Sequence, residues 1–387
     1  MAISAPTPET APFPEERQKE VRLYSETEYF TELIRDVNST RVGDRVGIMT
    51  MSFEPSEPVV NELMERLYAA ADRKVEVVMA VDAFAFLVDG NRSTVGPLWL
   101  PLPFGQDTFH RRLAALDRLA AKPSGNYGVV NKPGRYLSNP YSGRSHMKTS
   151  VVNNKVYITG ANLNLTERQD MAVGFEDAPT ADWLYELTNQ VVESGSTNEV
   201  LGNDQIRQLD LNTRILVDSG RPQQSIILDE ALRLINEADE RTWASFQMFP
   251  DGRIMDSMLE AHERGLDVRP FHNHPSKNGG LPGIRERFVK WHAKSRLPSQ
   301  FFEVQLHQDL ETLHSKALVS EKAAIVGTHN FLDLGVKFGT PEIALLREDK
   351  AFAMTVGDLL LKQAQVLRPE LIEELVPAPY GVLTAQN

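Results

Sequence analysis

The chain has 387 residues, with 41 Lys and Arg against 53 Asp and Glu, for a formal charge of −12. That acidity argues against an indiscriminate nucleic-acid binder, which needs a broad basic footprint, although it leaves room for a local basic cleft. The absence of cysteine removes disulfides, thiolate metal sites and cysteine nucleophiles, and no run approaches the roughly 18 apolar residues of a membrane-spanning helix.

Met1 to Glu20 mixes Pro, Thr and Glu with neither a basic nor an apolar signal-peptide region, and is expected to be a disordered leader. Arg45 to Phe53 is a strand candidate. Glu57 to Asp72 follows with Val59, Val60, Leu63, Met64 and Leu67 at helical spacing, and Val75 to Val81 is a second apolar strand. Beyond it, a Pro-rich loop carries Leu98, Trp99, Leu100, Leu102 and Phe104. It either lines an acyl groove or membrane interface or folds onto the core.

After a motif beginning at His146 comes an extended stretch, Asp170 to Phe175, then a helix from about Ala181 to Ser194 and a polar join near Gly195 to Asp210. The order then repeats. Thr242 to Phe249 is a strand, Arg253 to Arg264 a helix ended by Gly265, and Leu266 to Phe271 a strand. A second motif begins at His314, followed by Glu342 to Arg347 and a helix from about Ala351 to Leu367. Strands alternating with helices predict an α/β fold. The expected domains are 21–205 and 206–387.

The two motifs carry the chemistry. One reads His146-Met-Lys148, an apolar stretch, the turn Asn153-Asn-Lys, a second apolar stretch, then Gly160-Ala-Asn162. The other reads His314-Ser-Lys316, an apolar stretch, Glu321-Lys, a second apolar stretch, then Gly327-Thr328-His-Asn330. They lie 168 residues apart. In a strand, residues i and i+2 share a face, so each motif presents an imidazole beside an ammonium. Imidazole attacks phosphorus or moves protons near neutral pH, and Lys and Asn hold phosphoryl oxygens. A third pair, His292-Ala-Lys294, precedes Pro298 and has no Gly/Asn partner, so His-x-Lys alone means little.

The paired signature resembles the phospholipase D superfamily over about Val46 to Leu361. Gly143-Arg-Ser-His146-Met-Lys148 and Glu263-Arg-Gly-Leu-Asp-Val-Arg269 look most like its cardiolipin-synthase-type branch. The resemblance implies two similar α/β domains, mixed sheets flanked by helices, related by a pseudo-twofold axis with the motif strands at the centre. It implies a metal-independent phosphodiester hydrolase or phosphatidyltransferase acting through a covalent phosphohistidine, with no cofactor. His146, Lys148, His314, Lys316, Asp170 and Glu342 would be catalytic, and Asn162, Asn330 and Thr328 would hold the phosphate. Asp170 and Glu342 match the acid that orients a histidine in the family. Which histidine attacks stays open.

Two departures stand out. The family's Asp five residues after Lys is Asn153 in one motif and Glu321 in the other, positions that are either structural turns or damaged contacts to the site. Asn162 has Asn164 as a rival, because neither sits at the usual spacing from Gly160, and the strand preceding Gly327 counts one residue shorter. The implied substrate is phospholipid or another phosphodiester, handled by a cytoplasmic monomer with peripheral membrane contact. A basic stretch, Arg264 to Arg296, with Phe288 and Trp291 interleaved, keeps a nuclease reading open. A catalytically impaired phosphate- or lipid-binding protein is another alternative, and a purely structural protein a third. His272-Asn-His274 lacks the neighbours of a metal pair.

Overall fold

The computed structural model describes residues 18–89, 92–93, 106–132, 144–164, 168–273 and 312–368, with positions 288, 290, 291, 294, 297–299, 301 and 306 between the last two. In chain order the first half contains β1 (Val21–Ser25), α1 (Glu26–Ser39), β2 (Arg45–Thr50), α2 (Pro58–Asp72), β3 (Glu76–Asp82), α3 (Phe84–Leu87), β4 (Val88–Asp89) and β5 (Arg92–Ser93). It continues with α4 (Gln106–Ala120), β6 (Gly125–Val130), β7 (Thr149–Val152), β8 (Lys155–Thr159), β9 (Arg168–Gln169), β10 (Met171–Glu176) and α5 (Ala178–Ser194). The second half has α6 (Thr197–Leu201), β11 (Gln205–Asp210), β12 (Thr213–Ser219), α7 (Ile226–Asn236), β13 (Arg241–Phe246), α8 (Arg253–Glu263) and β14 (Asp267–His272). Then come β15 (Thr312–Leu313), β16 (Ala317–Ser320), β17 (Ala324–Gly327), α9 (Asp333–Phe338), β18 (Pro341–Arg347) and α10 (Lys350–Leu367).

Two seven-stranded sheets result, ordered β1-β10-β8-β7-β2-β3-β6 and β11-β12-β18-β17-β16-β13-β14. Six strands correspond one to one: β1, β10, β8, β7, β2 and β3 to β12, β18, β17, β16, β13 and β14. The senses correspond too. β2 runs parallel to β3 and antiparallel to β7, as β13 does to β14 and β16. Helices α1, α2 and α5 recur as α7, α8 and α10. Ser25 and Ser225 cap the first pair, while Asp177 and Asp349 accept from Thr180 N–H and Phe352 N–H to cap the last. The sheets are mixed and flanked by helices, as the alternating elements predict.

The repeat is longer than its apolar runs suggest. β1–α1 and β12–α7 precede it, and β6 inserts in the first half. The polar join contains α6 and β11. One apolar cluster runs through both halves, joining Met147, Val151, Ile158 and Val173 to Ala317, Val319, Val326 and Leu345. Parallel pairing of β9 with β15 stitches the halves a second time. No described helix is long and apolar enough to cross a membrane. Residues 1–17 of the expected leader, the 95–104 loop, His274 and much of the basic stretch lie outside the described residues.

Candidate active site

Each motif enters the centre between two backbone anchors. Ser145 N–H, just before His146, donates to Asp82 Oδ2 at 2.8 Å, and Leu313 N–H, just before His314, donates to Asn273 Oδ1 at 2.9 Å. Asp82 ends β3, and Asn273 follows the last residue of β14, so the two anchors occupy equivalent places. The histidines' own N–H groups reach the opposite half, His146 to Pro341 O and His314 to Gln169 O, both at 2.9 Å. Pro341 and Gln169 immediately precede Glu342 and Asp170.

That docking crosses the carboxylates. His146 Nδ1 lies 2.9 Å from Glu342 Oε2, and His314 Nδ1 lies 2.5 Å from Asp170 Oδ2. Each imidazole is therefore oriented by the acid of the other half, and Lys316 Nζ also lies 2.7 Å from His314 Nδ1 and 3.2 Å from its Nε2. All four side chains are buried, as are Lys148 and Lys316. Lys148 Nζ donates to His146 O at 3.0 Å, and Lys316 Nζ donates to His314 O and reaches Gly160 O of the other half at 3.4 Å.

The two half-sites differ electrically. Burial, then the charges of Lys148 and Lys316, hold His146 well below the usual imidazole pKa, so its ring is neutral at pH 7. Burial alone would raise Asp170, but Lys316 and His314 overcome it and hold the carboxyl below its usual range. Glu342 goes the other way: burial pushes it up to about 7 despite His329, Lys148 and the Thr328 hydroxyl. Lys316 Nζ of the second motif lies 3.4 Å from Gly160 O of the first, so the two motifs meet there.

Strand register settles the Asn corner. β7 pairs with β8 through Val152↔Lys155, and Ser320 N–H bonds Ala323 O at the same place in the β16–β17 hairpin, so the hairpins are equal in length. The expected shortening before Gly327 is therefore corrected. Thr328 occupies the place of Gly160, and Asn162 that of Asn330, each sixteen residues after its histidine. Asn164 instead donates to Ser52 Oγ at 3.0 Å. Asn162 Oδ1 and Asn330 Oδ1 are both buried with no hydrogen-bond partner among the described residues. A Cβ on Gly160 would strike Asp170 Oδ1. Thr328 fills the equivalent place with a hydroxyl that donates to Glu342 Oε2 at 2.5 Å.

The positions of the absent family Asp are turns. Asn153 has φ of +53° and accepts Arg45 N–H at 3.1 Å. Glu321 accepts N–H groups of Asp239, Glu240 and Arg241 at 3.1, 3.3 and 3.4 Å. Although burial opposes it, those donors keep the Glu321 carboxyl below its usual range. Both residues tie a hairpin to the start of the central strand, β2 or β13. Elsewhere, His272 is buried with Nδ1 3.0 Å from Asn273 O. Among the described residues no group of three or more His, Asp and Glu is placed to hold a metal ion.

Asp82 and Asn273 carry no motif, and only the matching ends of β3 and β14 could have marked them. With burial raising it, the Asp82 carboxyl reaches about 6.

A family model described as cardiolipin synthase, PLD-like domain, matches residues 231–358, the stretch from α7 to α10 that holds the second motif and Glu342. No curated protein sequence matches the chain. Among solved structures, phosphatidylserine synthase from Haemophilus influenzae Rd KW20 is similar with a TM-score of 0.63 and 13% identity, over 90% of this chain and 86% of that one. Polyphosphate kinase from Porphyromonas gingivalis is similar with a TM-score of 0.50 and 13% identity, over 89% of this chain and 50% of that one. At that identity the likeness is one of fold. Residues 231–358 thus match a phospholipase-D-like domain of the cardiolipin-synthase type, and the sheet order that contains them occurs twice in the chain.

Proposed function

We propose that the protein is a phosphodiester hydrolase or phosphatidyltransferase acting on phospholipid through a covalent phosphohistidine, without metal. The supporting observation is the crossed pair: two buried imidazoles, each held at Nδ1 by the other half's carboxyl, with both lysines acting on the same ring. Neutral His146 attacks phosphorus through Nε2, forming the P–N bond as the P–O bond to the leaving alcohol breaks. His314, held at Nδ1 by Asp170, serves as the acid and gives its Nε2 proton to the departing alkoxide. It then takes a proton from water or an acceptor alcohol, whose oxygen displaces His146 from phosphorus. Lys148, Lys316, Asn162 and Asn330 hold the non-bridging oxygens as charge develops. The turn roles of Asn153 and Glu321 support a competent site over an impaired one.

Peripheral contact with a lipid surface follows from the substrate, and both half-sites in one chain make a monomer sufficient. The test compares wild type and His146→Ala on phosphatidylglycerol vesicles and on single-stranded oligonucleotide, both in EDTA. The expected result is lipid turnover by wild type and a loss of at least about a thousandfold in the variant. Turnover of oligonucleotide alone would move the substrate to nucleic acid. Activity retained by His146→Ala, or strict metal dependence, would end the proposal.

A further inference from the structure

Behind the Glu342–His146 pair lies a buried carboxyl that the mechanism above does not use. In the β12–β18 ladder Asp218 stands directly opposite Glu342, and it is 2% exposed. Its Oδ2 accepts the Ser225 hydroxyl at 2.6 Å and its Oδ1 accepts Ile227 N–H at 3.2 Å, which ties β12 to the first turn of α7. Ser225 Oγ also lies 3.5 Å from His329 Nε2, and that ring nitrogen is 3.9 Å from Asp218 Oδ2. His329 Nδ1 accepts Phe331 N–H at 2.8 Å, so the neutral ring carries its proton on Nε2, facing Ser225 and Asp218. His329 sits between Thr328, which donates to Glu342, and Asn330. The network thus grips the corner from behind while Thr328 grips Glu342 from the front.

The arrangement has a counterpart. One residue beyond the Ser25↔Met171 pair of β1 and β10, on the Asp170 side, comes Glu26, which is also buried. Each half thus buries a second carboxyl near the strand end that carries its histidine-orienting acid, at a desolvation cost.

We propose that Asp218 is a positioning residue for the His146 half-site, holding the Thr328–Asn330 corner through Ser225 and His329 and coupling its ionisation to that of Glu342 across the strand pair. The charged or titratable groups facing it are Glu342 from β18, His329 from the corner, and Asp204, which accepts Ser219 N–H and hydroxyl beside it at 2.8 and 2.6 Å. Lys148 and Lys316 act on the same network through Glu342. Burial raises Asp218 to about 8, with Asp204 and Glu342 adding to it, against about 7 for Glu342. Two carboxyls so placed lose their protons in turn, as a pair.

The inference rests on the reading of His146 as a functional imidazole, but its test does not need turnover. The ring resonances of His146, assigned by loss in His146→Ala, are followed by NMR from pH 5 to 9.5 in wild type and Asp218→Asn. The expected wild-type titration has two steps, because Glu342 and Asp218 ionise in succession beside the ring. The variant, which keeps an oxygen for Ile227 N–H, shows one. In a parallel assay on phosphatidylglycerol, Asp218→Asn lowers kcat about tenfold or more with KM within about twofold. If the variant does not fold, Ser225→Ala, which leaves the carboxyl and removes its hydroxyl donor, is expected to displace the wild-type steps. Identical His146 titrations in wild type and the folded variant would overturn the proposal, whatever the protein hydrolyses. A two-step titration that collapses to one, with no phosphodiesterase activity in either protein, would sustain it and count against the proposed function instead.

Discussion

Gly160 and Thr328 occupy the same corner of the two halves, and the difference between them sets how each acid is held. With no Cβ, Gly160 lets Asp170 press against the backbone, where Lys316 and His314 keep it ionised. Thr328 instead offers Glu342 a hydroxyl. Gly160→Ala is therefore expected to displace Asp170, lowering kcat by about a hundredfold and stability by about 1–3 kcal/mol, read by steady-state kinetics and urea unfolding. Asn153→Ala is expected to do the reverse. It loses the bond to Arg45 N–H and strains a left-handed backbone, costing about 1–2 kcal/mol while kcat stays near wild type. Glu342 carries a pH signature. Its folded pKa of about 7 lies above the ordinary 4.5, so the folded state holds the proton more tightly, and that contribution, full below pH 4.5, is lost as pH rises through 7. Glu342→Gln stays neutral, so between pH 5 and pH 8 its Tm should gain on wild type by on the order of 5 °C, while kcat falls. At this scale the sequence was legible for side-chain type but not for pairing. Asp170 and Glu342 stood out as acids opening the strand after each corner. That each would serve the opposite histidine depends on an interface, and period-two patterning reports a residue's face, not what that face meets.

The elements explain why the motifs tolerate so much change. Each is a hairpin whose turn is pinned to the start of the central strand and whose entry is pinned to the end of the next strand. Asn or Glu meets the first requirement, because both only accept backbone N–H. The second differs between halves for a reason visible in the donors. Asp82 receives only donors, from Ser145 N–H, Phe84 N–H and the Asn131 amide. Asn273 accepts Leu313 N–H but also donates to Leu313 O and Gln247 O. Asn273→Asp would turn a carboxylate on two carbonyls, and is expected to cost about 2 kcal/mol or more and to lower kcat; Asp82→Asn keeps an acceptor for Ser145 but sets an amide N–H against Phe84 N–H and takes the charge from beside buried Arg144, so it costs stability as well. Thermal unfolding of the two variants side by side checks both. Long apolar runs such as Val75 to Val81, observed as Glu76–Asp82, were read within a residue or two. β1 was not, because its five residues alternate with Arg22 and end in a capping serine. β6 was hidden by two glycines in six residues.

At the scale of the molecule, the duplicated sheet order and the crossed acids make the site a property of the whole chain. Neither half holds a complete histidine–carboxylate pair, and the apolar cluster around Met147 and Ala317 would be open to water in a lone half. Halves divided at Gly202 and expressed singly are expected to be inactive and aggregation-prone, and to recover activity only when expressed together. Activity from one half alone would show that the crossing is dispensable. The duplication was legible from motif spacing and element order; the shared core was not, since nothing in an apolar strand says which sheet it will pack against.

The central claim is that His146 and His314 act on one phosphorus from opposite sides. It is tested most directly by trapping the covalent intermediate. His314→Ala is mixed with phosphatidylglycerol in EDTA, quenched in alkali and digested, and the peptides are searched by mass spectrometry. A phosphatidyl group on His146, absent from the His146→Ala/His314→Ala double variant, is the predicted result. An adduct on another residue, or none alongside undiminished turnover in the single variant, would contradict it.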